Sequence, residues 1–244
     1  MLDVHIINMN RSKNKWVRCS QRFRDQGFRV FRQEGYNVRD WDLSRYQVGL
    51  QKIGELGCNL SHRALWEKQL LNDPSKNYLV VAEDDAVPLV SSERFMEQIR
   101  QLPLQDVDFV HFGCGSRCTI HPFTGAHCYL VTRAGAQKYF AHWKNRIDVA
   151  VDMAIGETPG VRLVHVKPEI ATFERLRAWE SDIINTNNPL AKLLDYIPYG
   201  ENTTLGWVMF YPGNGRPRKI DEWFLFLSFV LLVSLLLIKK YNNK

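Results

Sequence analysis

The chain has 244 residues, with 32 Lys and Arg against 26 Asp and Glu for a formal charge of +6. Its length fits one α/β domain with a tail, or at most two small domains, and can bury a substantial core. The basic surplus suits phosphate-bearing ligands or anionic lipid, no clustered Arg/aromatic module argues for nucleic acid, and five cysteines (Cys19, Cys58, Cys114, Cys118 and Cys128) point to a reduced compartment rather than a disulfide scaffold.

In chain order, Val4 to Asn8 reads as a first strand, entered with neither a basic start nor an apolar stretch of signal-peptide length. Lys13 to Gln26 reads as a basic helix with Trp16, Cys19 and Phe23 at helical spacing, and Phe28 to Phe31 as a second strand. Cys58 to Leu71 reads as an amphipathic helix, ended by the Asn72-Asp73-Pro74-Ser75 loop. An apolar strand, Leu79 to Ala82, precedes a helix over Ser92 to Leu102, a strand Phe109 to Phe112, a strand-to-helix passage from Cys128 to Trp143, and a last strand, Val161 to Val166. Strands alternating with helices predict a mostly parallel sheet with helices on both faces. From Asn185 the composition turns to Asn, Gly, Pro and Tyr, as in a linker over 185–222.

Trp223 to Ile238 is almost unbroken apolar sequence, sixteen residues long. As a helix it would span roughly 24 Å against a hydrocarbon core of about 30 Å. Trp223 at one end and Lys239-Lys240 at the other can reach the interfaces. A transmembrane helix over 223–238 with a short basic tail over 239–244 is expected, rather than a buried core helix. A single-pass C-terminal anchor that leaves the folded domain in the cytosol is the simplest arrangement.

The strand Leu79 to Ala82 ends in three consecutive acids, Glu83-Asp84-Asp85. Ligands of open α/β sheets bind at the carboxyl ends of strands, and crowded carboxylates there call for a cation. Extended geometry sends Glu83 and Asp85 to one side and Asp84 to the other. Two oxygens, completed by water and substrate phosphate, suit Mn²⁺ or Mg²⁺. A solvated acidic turn is the plainer alternative.

Three patterns stand in fixed order: Ile7-Asn8-Met9, then Gly54-Glu55-Leu56-Gly57-Cys58-Asn59-Leu60-Ser61-His62-Arg63-Ala64-Leu65-Trp66, then Ala82-Glu83-Asp84-Asp85-Ala86-Val87-Pro88. Together they resemble glycosyltransferase family 25, which includes lipooligosaccharide sugar transferases and collagen galactosyltransferase domains. Weaker echoes at Asp108 to Gly113, Tyr129 to Ala136, Val151-Asp152 and Ser181-Asp182-Ile183 extend the likeness, giving a catalytic domain over 1–184.

The resemblance implies a GT-A-like nucleotide-sugar-binding fold, a nucleotide-sugar donor such as a UDP-sugar, a glycan or hydroxylated protein acceptor, and inversion by direct displacement, with galactose or glucose as the sugar. Glu83 and Asp85 are then the metal contacts, and Asp84 contacts the ribose or orients a ligand. Asp152 is the family-matched general base and Asp148 its rival. Ser61 and His62 are expected in the first turns of a helix that favours a diphosphate, with Glu55 in the turn before it, placed to touch the donor or to hold the loop by bonding backbone amides. Asn8 reads the base or ribose, or simply caps a turn.

Other readings compete. His111, Cys114, Cys118, His121, His127 and Cys128 could hold structural zinc. An inactive membrane-tethered module of the same fold, or a metal-dependent nucleotidyltransferase or phosphohydrolase, would use the same strand-end acids.

Overall fold

The computed structural model describes residues 1–38, 41–44, 46, 53–113, 123, 125–174, 209–210 and 218–219. The chain divides into two compact units, Met1–Lys192 and Leu193–Lys244. In the first, β1 (Asp3–Met9), β2 (Arg29–Gly35) and β3 (Tyr78–Glu83) share a sheet with β5 (Phe109–His111), β6 (Cys128–Thr132) and β7 (Leu163–His165). The strand order is β2-β1-β3-β6-β5-β7. All pairs are parallel except those of β6, which runs antiparallel to both β3 and β5. The expected mostly parallel sheet is present, with one reversed strand. A separate two-stranded ribbon joins β4 (Ala86–Pro88) to β8 (Ala171–Phe173).

Burial explains the strand choice. Leu79, Val80, Val81 and Ala82 are all at most 3% exposed, which a strand covered on both faces permits and an amphipathic helix does not. Alternate residues serve opposite cores. Val80, Ala82, Val110, Cys128 and Leu130 pack against α1 (Lys13–Asp25) and α3 (Ser92–Arg100). Leu79, Val81, Phe109, Tyr129 and Val131 pack against α2 (Ile53–Trp66), α4 (Arg133–Trp143) and α5 (Val151–Glu157). The edge strand β2 exposes Arg29 and Arg32, charges that discourage pairing with another chain.

Several expectations are corrected. Helix α2 begins at Ile53, ahead of the expected Cys58, and runs into a π-helical turn, Glu67–Leu71. Glu55 is therefore in the first helical turn, and Ser61 and His62 lie beyond the first turns, away from the amides that would attract a diphosphate. Strand β2 extends to Gly35. Val161 to Val166 is not the last strand, because β8 follows it. Within the expected linker, β9 (Met209–Phe210) pairs antiparallel with β10 (Arg218–Lys219).

Among the described residues no helix is long and apolar enough to cross a membrane. The apolar segment 223–238, the tail 239–244 and Ser181-Asp182-Ile183 lie outside the described residues. So do Cys114, Cys118 and His121 of the zinc reading. Its remaining members are built into the fold. Cys128 is buried in β6, and His111 accepts from Gly113 N at Nδ1 (3.2 Å) and donates from Nε2 to Gly125 O (2.5 Å).

Candidate active site

One edge of the sheet gathers the ends of β1, β3, β5 and β7 and the start of β6. Ala82 pairs with Cys128, and Glu83 N donates to His127 O at 2.9 Å, which fixes His127 beside the acids. His127 Nδ1 lies 3.3 Å from Asp85 Oδ1 and 3.6 Å from Glu83 Oε2. Phe173 of β8 stacks on the imidazole, centroids 4.3 Å apart. The three side chains are 15–19% exposed, buried enough to be held and open enough to meet a ligand. One ligand atom from each falls within 4.8 Å of the others. Two carboxylates and an imidazole fit Mn²⁺ or Mg²⁺, with positions left for water and phosphate oxygens.

Behind the acids stands α2. Glu83 Oε1 accepts from Cys58 Sγ (3.6 Å) and lies 3.2 Å from His62 Nε2. His62 Nδ1 is 2.6 Å from the Tyr129 hydroxyl, to which Trp66 Nε1 donates at 3.0 Å. His62, Trp66 and Tyr129 are wholly buried. Burial works to raise the Glu83 carboxyl, but His62 and His127 outweigh it and hold its pKa below the usual carboxylate range. Burial pushes the Cys58 thiol well up, and the charges of Glu83 and Asp152 add to this.

Asp84 points to the other side, as alternation requires. Its Oδ2 accepts from Asn8 Nδ2 at 2.7 Å. Asn8 is buried; its amide also donates to Ser12 O (3.0 Å) and accepts from Arg32 NH2 (2.7 Å). Asn8 thus caps the turn after β1 and ties Asp84 to β2. Ser61 is buried and internal, donating to Gly57 O and accepting from Tyr36 N. Asp152, in the first turn of α5, accepts from Gly125 N and from its neighbour Met153 N, both at 2.8 Å. Asp148 pairs with Arg146 at 3.1 Å.

The structure therefore joins Glu83, Asp85 and His62 in one cluster, with Asp84 and Asn8 on its far side. It adds His127, Cys58 and Tyr129, which the sequence did not assign to this site. His127 directly precedes a clear strand, and its partner becomes legible only once β6 is known to run backwards. A cavity of about 280 Å³ near the start of α1 is lined by Arg11, Ser12, Lys13, Asn14, Lys15 and Arg18. Arg18 and Arg22 pair with Glu174, whose backbone N–H donates to Asp85 O at 2.6 Å.

Residues 1–118 match the profile of Glycosyltransferase family 25 (LPS biosynthesis protein). No curated protein matches the chain. Among solved structures, a glycosyltransferase involved in the glycosylation of the major capsid of PBCV-1 aligns at 9% identity and a TM-score of 0.38, over 68% of this chain and 82% of its own. The galactosyltransferase LgtC, in complex with donor and acceptor sugar analogs, aligns at 8% identity and a TM-score of 0.45, over 80% and 95%. A mutant Drosophila β-1,4-galactosyltransferase 7, complexed with manganese, UDP-Gal and xylobiose, aligns at 9% identity and 0.35, over 90% and 92%. These likenesses are too loose to carry chemistry across. The long Gly54 to Trp66 string and the acidic strand end both fall inside the matched stretch, and over residues 1–118 the chain is similar to glycosyltransferase family 25.

Proposed function

We propose that this glycosyltransferase moves a hexose from a nucleoside diphosphate sugar, a UDP-sugar in the first instance, to a glycan or hydroxylated protein acceptor. Its fold is read as GT-A-like, and its reaction as direct displacement with inversion at the anomeric carbon. The observation that carries this reading is the convergence of Glu83, Asp85 and His127 at the strand edge. A divalent cation bound there would neutralise charge developing on the departing diphosphate.

The chain's own residues do the rest. Glu83 and Asp85 present carboxyl oxygens, His62 and Cys58 hold the far oxygen of Glu83, and Phe173 stacks on the His127 ring. The basic side chains from Arg11 to Arg18 supply counter-charge for the phosphates. Asp152 is assigned as the base that takes the acceptor's proton, ahead of Asp148, which is occupied by Arg146. Asn8 and Asp84 brace the strand ends, and Ser61 braces α2 against the segment after β2.

Trp223 to Ile238 is proposed as a single-pass anchor, on its length and unbroken apolar character, with the catalytic unit on the cytosolic side.

The test is nucleoside diphosphate release from a panel of nucleotide sugars by the full chain in detergent, with and without Mn²⁺. Mn²⁺-dependent release that disappears in Asp85→Ala is expected. Release that is indifferent to Asp85→Ala, or pyrophosphate as the product, would sink the assignment.

A further inference from the structure

Glu83 belongs to two overlapping sets of ligand atoms. One is Glu83, Asp85 and His127; the other is Cys58, His62 and Glu83. The first offers hard oxygens and one nitrogen. The second offers a sulfur and suits softer ions such as Zn²⁺. Both cannot be used at once, and the hydrogen bonds around Tyr129 decide between them.

An indole N–H can only donate, so the Tyr129 oxygen accepts from Trp66 at 3.0 Å. The remaining partner of that hydroxyl is His62 Nδ1, at 2.6 Å. Tyr129 is wholly buried, so its own proton must point at Nδ1 or go unsatisfied. Nδ1 is therefore the acceptor, and the ring proton sits on Nε2, as inferred from this network. That N–H faces Glu83 Oε1 at 3.2 Å. A nitrogen that bears a proton cannot bind a metal. The two oxygens of Glu83 are thereby divided: Oε1 is held by His62 and Cys58, while Oε2 is turned to His127 at 3.6 Å.

We propose that Tyr129 is a specificity-determining residue of the metal centre: through His62 it closes the Cys58-His62-Glu83 set and leaves Glu83, Asp85 and His127 to take a hard divalent ion. The proposal rests on the metal site assigned above. Tyr129 touches neither metal nor substrate and acts by positioning. Binding at the closed set would require the imidazole proton to move to Nδ1 and the Cys58 thiol to release its proton to solvent as the sulfur–metal bond forms. With Phe at position 129, Nδ1 loses its hydroxyl donor and is free to take that proton.

Co²⁺ reports the choice directly, because a thiolate ligand gives a sulfur-to-cobalt charge-transfer absorption that oxygen and nitrogen ligands do not. The full chain and Cys58→Ser are expected to give the same Co²⁺ spectrum. Tyr129→Phe should gain a charge-transfer band that vanishes in Tyr129→Phe with Cys58→Ser, and should bind Mn²⁺ about tenfold more weakly. A band in the unaltered chain that Cys58→Ser removes would overturn the proposal, and this comparison holds whether or not Tyr129→Phe folds. A folded Tyr129→Phe with no new band and unchanged Mn²⁺ affinity would overturn it as well. Failure of the unaltered chain to bind Mn²⁺ or Co²⁺ at all would overturn the metal assignment itself and this proposal with it.

Discussion

His127 and His5 show how differently the same side chain is used on one sheet. His127 stands at the strand edge with carboxylate oxygens of Asp85 and Glu83 at 3.3 and 3.6 Å, a geometry that suits the ligand role proposed for it. His127→Ala is expected to weaken Mn²⁺ binding by at least about tenfold, since even partners outside the first shell of ligands cost that much; titration calorimetry showing an unchanged affinity would remove it from the site. His5, by contrast, is 6% exposed on β1 and stacks on Phe31 with centroids 5.1 Å apart. Burial and nearby Lys76 outweigh Asp3 and lower its pKa from 6.5 to about 4. An unfolded chain takes up that proton near pH 6.5, whereas the folded chain refuses it until about pH 4, so the unfolded state binds more protons across this window. The stabilising contribution is thus complete above pH 6.5 and is lost as the pH falls toward 4, by about 3 kcal/mol in all. His5→Gln should show a smaller drop in urea-unfolding stability between pH 7 and pH 4.5 than the parent. Equal drops in the two proteins would mean that His5 titrates normally.

Helix α2 carries the longest motif in the chain, and its N-terminal half was the part least legible in the sequence. Gly54 and Gly57 read as turn residues, yet both are helical because Leu56 and Leu60 reach a small cluster with Val38 and Ile147 that only the folded chain assembles. The glycine at 57 is there for proximity. A Cβ at that position would stand 2.5 Å from Tyr36 O, where the chain leaving β2 crosses the helix and Tyr36 N donates to Ser61. Alanine would gain about 1 kcal/mol in helix propensity, but forcing backbone apart costs typically about 1–3 kcal/mol. The neighbour here is a carbonyl rather than a flexible side chain, so the clash wins. Gly57→Ala should lower the melting temperature by a few degrees, and a melting temperature at or above the parent's would show that the crossing relaxes freely. The same limit applies to β6. Its apolar run marked it as a strand, but apolar character is blind to direction, so the pairing of Ala82 with Cys128 and the place of His127 were hidden. The acidic end of β3 was readable because its signal is local: Leu79 to Ala82 requires burial, and Glu83 to Asp85 requires the edge.

At the scale of the whole molecule, the two cores close within the first unit. The face under α1 and α3 and the face under α2, α4 and α5 draw the buried apolar residues described from Leu2 to Ala171, apart from the small cluster of Val38, Leu56, Leu60 and Ile147. The proposed site is made by side chains from Asn8 to Phe173. The remainder carries the segment proposed as the anchor. Trp223 to Ile238 offers sixteen residues with no charge, and sustained apolar character without a polar face is what a bilayer core, not a protein surface, accommodates. Removing residues 193–244 should therefore separate two properties. The truncated protein should unfold cooperatively with a melting temperature close to that of the full chain and keep its Mn²⁺ affinity, while losing resistance to alkaline extraction from membranes, which the full chain should show. Truncated protein that still resists extraction would place the membrane contact on the first unit, where the basic side chains of α1 are the nearest candidates for anionic headgroups. Truncated protein that cannot fold would show instead that the second unit covers part of the core. Either result would replace the picture of a self-sufficient transferase held by a separate anchor.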